Sequence, residues 1–270
     1  MSFEERLESL DVELLGTIHT GLTPEDRRSL LALHLACRRT NPEFRWLEIG
    51  SHLGGSLQAL VRDPGCIKID SIDSRPEQIP DERIATVAYP GNSTARMLRL
   101  LSDLPDADMR KVRTHDIGTD QLDPQAFQPP DVCFIDAEHT DEACARDAEF
   151  CRKVLREDGV IAFHDIFVVY RAVAAFVEAL ALTGTPHGLA YLPDNIFAVE
   201  LGRGELLSDH AVIGRQVLAG AGLLWGLRWN DRYREVLQGR RARLLRRLGL
   251  LRFEEPTIVR GATAPFTVAR

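Results

Sequence analysis

The sequence predicts an α/β protein built on a doubly wound, mostly parallel sheet, with N-terminal cap helices and a helical C-terminal extension. Three observations predict it. Short apolar runs alternate with amphipathic segments from Phe44 to Leu182. Several runs end abruptly in an acid, a glycine or a histidine, as strands do when their carboxyl ends open onto a crevice. A chain of 270 residues with 44% hydrophobic content suffices for one large core with appendages. The expected divisions are a helical cap over 1–39, an α/β domain over 40–204 and a helical extension over 205–270.

Residues up to Arg39 read as two amphipathic helices. Thr23-Pro24-Glu25-Asp26 starts the second, with proline in the first turn and acids at the positive end of the dipole. Trp46–Ile49 is a predicted strand, and Leu57–Val61 lies in the helix after it. Ile67–Ile72 is the second strand, Ser93–Leu101 a helix and Lys111–His115 a third strand. Asp131–Ile135 and Gly159–Phe163 are short buried strands, followed by helices over Asp141–Leu155 and Tyr170–Leu182. Asn195–Glu200 reads as an edge strand. Beyond it Trp225, Trp229 and Tyr233 recur every four residues, with arginines interleaved up to Arg252. That spacing puts the aromatics on one helix face, expected to pack on the body with the arginines in solvent. Docking on an anionic partner is the alternative. If the tryptophans stay exposed, a homo-oligomer is expected.

Composition excludes several classes. Lys and Arg number 33 against 40 Asp and Glu, a net charge of −7, which argues against nucleic-acid binding. The run Met-Ser-Phe-Glu-Glu-Arg has no signal-peptide layout, and no segment reaches the ~20 apolar residues that span a bilayer. No membrane association is expected. Five cysteines without a Cys-x-x-Cys pair read as reduced core residues of a cytoplasmic protein.

The chemistry gathers at the strand ends. Phe44-Arg45-Trp46-Leu47-Glu48-Ile49-Gly50-Ser51-His52-Leu53-Gly54-Gly55-Ser56 passes from a strand through an acid and a glycine-rich turn into a helix. Its Glu-x-Gly-x-x-x-Gly spacing differs from the dinucleotide fingerprint. It suits a ligand with an amino-acid end, whose ammonium can meet Glu48 while Gly50 and Gly54 allow close backbone approach and Ser56 opens the helix. Ser71-Ile72-Asp73 ends the second strand, where an acid accepts hydrogen bonds from ribose hydroxyls, though a strand-end Asp also caps turns. Phe134-Ile135-Asp136-Ala137-Glu138-His139 and Ala162-Phe163-His164-Asp165 are buried strands that expel polar side chains at their ends. If those strands are neighbours, Asp136, His139, His164 and Asp165 share one wall. Oxygen ligands with an imidazole nearby suit a divalent cation, and a histidine suits proton removal from a hydroxyl. His34, His52, His187 and His210 show no such grouping.

The glycine turn resembles the first motif of class I S-adenosylmethionine-dependent methyltransferases. The segment from Phe44 to Phe167, above all Asp136-x-x-His139 with His164-Asp165, is similar to small metal-assisted O-methyltransferases. These include the macrolide sugar O-methyltransferases and, more distantly, catechol O-methyltransferase. The resemblance implies a Rossmann-like methyltransferase fold and S-adenosylmethionine as cofactor. It implies a cation, magnesium, on Asp136, His164 and Asp165, with Asp136 and His139 catalytic and His139 as the base. It also implies an adenine contact after the third strand, at Asp116 or, second, at Thr119. The sequence departs from the pattern at Ala137, where the family has glycine, and at His164-Asp165, where catechol-type enzymes carry an acid and an amide. The expected activity is methyl transfer to a hydroxyl of a small sugar, polyol or phenol. A non-catalytic scaffold of the same fold and another nucleotide-dependent enzyme are the alternatives. The acids and histidines of the cleft weigh against the scaffold, and the missing Gly-x-Gly-x-x-Gly weighs against the nucleotide enzyme.

Overall fold

The computed structural model describes residues 1–81, 85–202, 206–209, 213 and 222–231. Two N-terminal helices, the short α1 (Phe3–Glu8) and the longer α2 (Pro24–Thr40), precede the sheet, and each starts from a capping box, at Ser2 and at Thr23. The order then runs β1 (Phe44–Ile49), α3 (Gln58–Arg62), β2 (Cys66–Ile72), β3 (Gln78–Asp81), β4 (Ala85–Ala88), α4 (Thr94–Ser102) and β5 (Val112–His115). It continues through β6 (Val132–Ile135), α5 (Asp141–Val154), β7 (Val160–Phe163), α6 (Ile166–Leu182), β8 (His187–Leu192), β9 (Ile196–Leu201) and α7 (Leu206–Asp209).

Seven strands form one sheet in the order β5-β2-β1-β6-β7-β9-β8. The first five are mutually parallel, whereas β9 runs antiparallel to both β7 and β8. The order reverses between β1 and β6, and ligands of such sheets bind in the crevice at that switch point. Period-two burial divides the strands between two cores. Trp46, Ile69, Val132, Phe134 and Ala162 face the N-terminal helices, α3 and α4. Leu47, Ile49, Ile135, Ile161 and Phe163 face α5 and α6. Burying a side chain such as Trp46, 1% exposed, contributes roughly 1.5–3 kcal/mol.

The structure corrects several expectations. Residues 196–201 are not an edge: β9 is buried along its whole length between β7 and β8, and the edge is β8. The β3–β4 hairpin lies outside the sheet, where the sequence reading had no element. The first 39 residues pack into the core of the sheet. Residues 222–231 are helical, but Leu224 is its buried residue, while Trp225 and Trp229 are 68% and 59% exposed. Tyr233 and the arginines beyond it lie outside the described residues. All five cysteines are buried and free. Among the described residues, no helix is long and apolar enough to cross a membrane.

Candidate active site

Parallel register lines up the strand ends. Ile49 is level with Ile72 on one side and with Ile135 on the other, and Ile135 is level with Phe163. The ladder runs one step further, with Gly50 N donating to Ile72 O at 2.8 Å, Asp136 N to Ile49 O at 2.9 Å and His164 N to Ile135 O at 2.9 Å. Asp73, Gly50, Asp136 and His164 thus stand side by side at the carboxyl edge. A cavity of about 460 Å³ opens there, and Gly50, Ser56, Asp73, Thr119, Asp136, His139, His164 and Asp165 all border it.

At the turn after β1, Gly50 adopts φ +91°, and a Cβ there would stand 2.1 Å from the carbonyl oxygen of Asp136. Only glycine fits. Gly54 plays a different part: it lies off the cavity, with Leu101 and Met97 of α4 filling the space around its missing side chain. Glu48 is 1% exposed behind Ser56, whose hydroxyl donates to its Oε1, while Oε2 is buried with no hydrogen-bond partner. Burial pushes the Glu48 carboxyl up to about 8, against the Ser56 hydrogen bond.

Asp73 has the turn-organising contacts that the sequence allowed, at a position on the cavity. It accepts from His52 N at 2.8 Å, from Arg75 N at 2.7 Å and from the Arg75 guanidinium at 3.2 Å. Of the two residues expected at the base contact, the structure puts only Thr119 on the cavity. Thr119 is buried on the cavity and donates to Asp147, whereas Asp116 is half exposed, turned to Thr94 and Arg75 and away from the hollow. Asp147, on α5, is a cavity residue that the sequence reading missed, and burial raises its carboxyl pKa.

At the other end, four carboxylates surround two imidazoles. His139 Nδ1 contacts Asp81 Oδ2 at 2.6 Å and its Nε2 contacts Asp165 Oδ2 at 2.9 Å. His164 Nε2 lies 3.3 Å from Asp26 Oδ2. Its buried Nδ1 lies 3.0 Å from Asp136 Oδ1 and 3.4 Å from Asp165 Oδ2, out of line for a hydrogen bond with either. Burial pulls both imidazoles down, but the carboxylates outweigh it and both stay raised. The same contacts hold Asp165 well below the usual carboxylate range, against the effect of its burial. Asp165 also takes a left-handed φ of 53° at the start of α6, a conformation that Asp tolerates and that tends to mark functional positions.

Ligand atoms of Asp136, His139 and Asp165 lie within 4.8 Å of one another. Two carboxylates with an imidazole suit a divalent cation. The sequence put His164 in the third place and kept His139 apart as a base; the structure brings both rings to the same two carboxylates. It also adds Asp26 from α2 and Asp81 from β3. Asp26 had a sequence signal only as a helix-start acid, and Asp81 had none.

Residues 47–166 match the family described as methyltransferase domain. Among solved structures, the O-methyltransferase NovP is similar at 16% identity and a TM-score of 0.57, over 75% of this chain and 100% of that one. MycE, a methyltransferase from the mycinamycin biosynthetic pathway solved with Mg and SAH, is similar at 14% identity and a TM-score of 0.49, over 74% of this chain and 55% of that one. No curated protein matches the sequence.

Proposed function

We propose that this chain, whose residues 47–166 match the methyltransferase-domain family, carries a methyl group from S-adenosylmethionine to a hydroxyl of a small molecule. One observation carries the proposal. The glycine turn with Asp73 and the Asp136–His139–Asp165 cluster open onto one cavity, so a sulfonium donor and an alcohol can meet there.

The donor brings an electrophilic methyl carbon; the chain brings position and charge. Glu48, with an unsatisfied buried oxygen, and the close backbone at Gly50 suit the amino-acid end of the donor. Asp73 suits its ribose, and Thr119 with Asp147 its base. Asp136 and Asp165 would hold a divalent cation, with an imidazole as nitrogen donor. Such an ion lowers the pKa of an alcohol it contacts. His139 takes the hydroxyl proton at Nε2, because Nδ1 is committed to Asp81. The carboxylate that contacts Nε2 is one that would hold the cation, so filling the site removes part of the cause of the raised His139 pKa. O-methylation of a sugar, polyol or phenol, with magnesium as the ion, is the reading these residues favour.

Calorimetry tests it. S-adenosylhomocysteine should bind saturably below about 1 mM, and Asp73→Ala should weaken it by roughly 1–3 kcal/mol through the lost hydrogen-bond acceptor. Mn²⁺ should bind the wild-type protein and should not bind Asp136→Asn or Asp165→Asn. Absence of any cofactor binding at millimolar concentration overturns the assignment.

A further inference from the structure

The β3–β4 hairpin stands apart from the sheet, yet it reaches both halves of the cavity. Ile79 and Val87 form a cross-strand pair, and both border the hollow. Asp81 lies two residues after Ile79, and side chains two apart on a strand share a face. The hairpin therefore turns one apolar pair and one carboxylate the same way. The Asp81 side chain is fully buried. Its backbone makes an isolated parallel bridge to His139, and its Oδ2 lies 2.6 Å from His139 Nδ1.

We propose that Asp81 is a positioning residue that acts through His139. By accepting the Nδ1 proton it fixes the ring so that Nε2 faces Asp165 and Asp136, and it makes that orientation depend on the hairpin being seated over the cavity. The proposal rests on the reading of the cluster given above, and it holds whether Nε2 serves as metal donor or as base. Either role needs a lone pair on Nε2 and the proton on Nδ1. Imidazoles that bind a metal or move a proton are commonly oriented in this way by a carboxylate on the far nitrogen. A second consequence concerns assembly. Ile79 and Val87 share their hairpin with Asp81, so a ligand that presses on the apolar pair also bears on the His139 ring.

The test uses the full chain with Asp81→Ala, Asp81→Asn and Asp81→Glu. In the wild-type protein, nitrogen-15 NMR should show a downfield, slowly exchanging His139 Nδ1 proton. Asp81→Ala should lose that signal and bind Mn²⁺ roughly tenfold or more weakly. Its affinity for S-adenosylhomocysteine should change less than about threefold, since distant sites are close to additive. Asp81→Glu should regain part of the Mn²⁺ affinity, which a loss of packing alone would not restore. If Asp81→Ala does not fold, Asp81→Asn is read in its place: its amide oxygen still accepts from Nδ1 but without charge, so the proton signal should move upfield and exchange faster than in the wild type. The proposal is overturned if the variant keeps the wild-type His139 signal, or if Mn²⁺ and S-adenosylhomocysteine affinities fall together. Should the wild-type protein bind neither ligand, the functional reading fails, while the His139 proton still decides whether Asp81 holds the ring.

Discussion

Glu48 occupies a strand position with no exposed surface to speak of, and its carboxyl is pushed up to about 8, first by burial. A folded pKa above the unfolded value of 4.5 means that the stability tied to this proton is complete below pH 4.5 and is lost as the pH rises toward 8. Glu48→Gln removes that loss. The variant should melt above the wild type from pH 5 upward, by a gap that grows to about pH 8 at up to about 1.4 kcal/mol for each pH unit. Thermal melts across that range check it. Calorimetry on the same variant should show weaker S-adenosylhomocysteine binding, since the amide cannot balance an ammonium. Glu48 was legible because an acid inside an apolar strand run, two residues before a strand-end glycine, is an unusual thing to bury. The residue scale is also where legibility failed. Asp116 and Thr119 lie in one short polar run, Asp116-Ile117-Gly118-Thr119, and sequence carries no signal of which of them turns inward. Thr119 does, because it begins a short 3₁₀ turn that packs it against Asp147. Asp81 could not be found at all, because its partner His139 is 58 residues away.

The elements were legible wherever apolar periodicity was strong, and less so where chain breakers interrupted it. Strands β1, β2, β6 and β7 and helices α4 and α5 fall within a few residues of their predicted bounds. The β3 strand escaped because Gln78-Ile79-Pro80-Asp81 contains a proline, which demotes a run to an edge or to no strand. It is tolerated here because the hairpin has only two strands. The turn after β1 makes a sharp prediction at this scale. Gly50→Ala combines a left-handed φ with a backbone clash at 2.1 Å, so it should cost about 3 kcal/mol or more and abolish cofactor binding. Gly54→Ala, with φ +80° and a nearest contact of 2.9 Å to the flexible Leu101 side chain, should lower stability through α4 packing and leave binding largely intact. Melting curves and calorimetry on the pair separate the two roles.

At the scale of the whole molecule, the N-terminal helices are pinned to the sheet by buried charge as well as by apolar packing. His34 of α2 contacts Asp63, just after α3, at 2.7 Å and lies 5.3 Å from the Phe44 ring. Burial lowers the His34 pKa despite the Asp63 contact, and that contact keeps Asp63 low against its own burial. Both shifts have the same sign. The stability they contribute is full above the unfolded values and is lost as the pH falls, for His34 from about 6.5 downward. His139 and His164, both raised, act in the opposite sense and lose their contribution as the pH rises. A His34→Gln variant should therefore be less stable than wild type at pH 7, by about 1–3 kcal/mol. The difference should shrink between pH 7 and 5, as urea titrations would record. The wider architecture was legible from the alternation of runs, but the meeting of distant segments was not. Asn195 N donates to Asp26 Oδ1 at 2.8 Å, and Asn195 Nδ2 to Asp165 Oδ1 at 3.0 Å. Because Asn195 stands immediately before β9, the strand that joins β8 to the rest of the sheet, the closing of the sheet and the clasp between α2 and the Asp165 strand end depend on one short segment. A substitution at Asn195 would therefore loosen the outer strands and the hollow together.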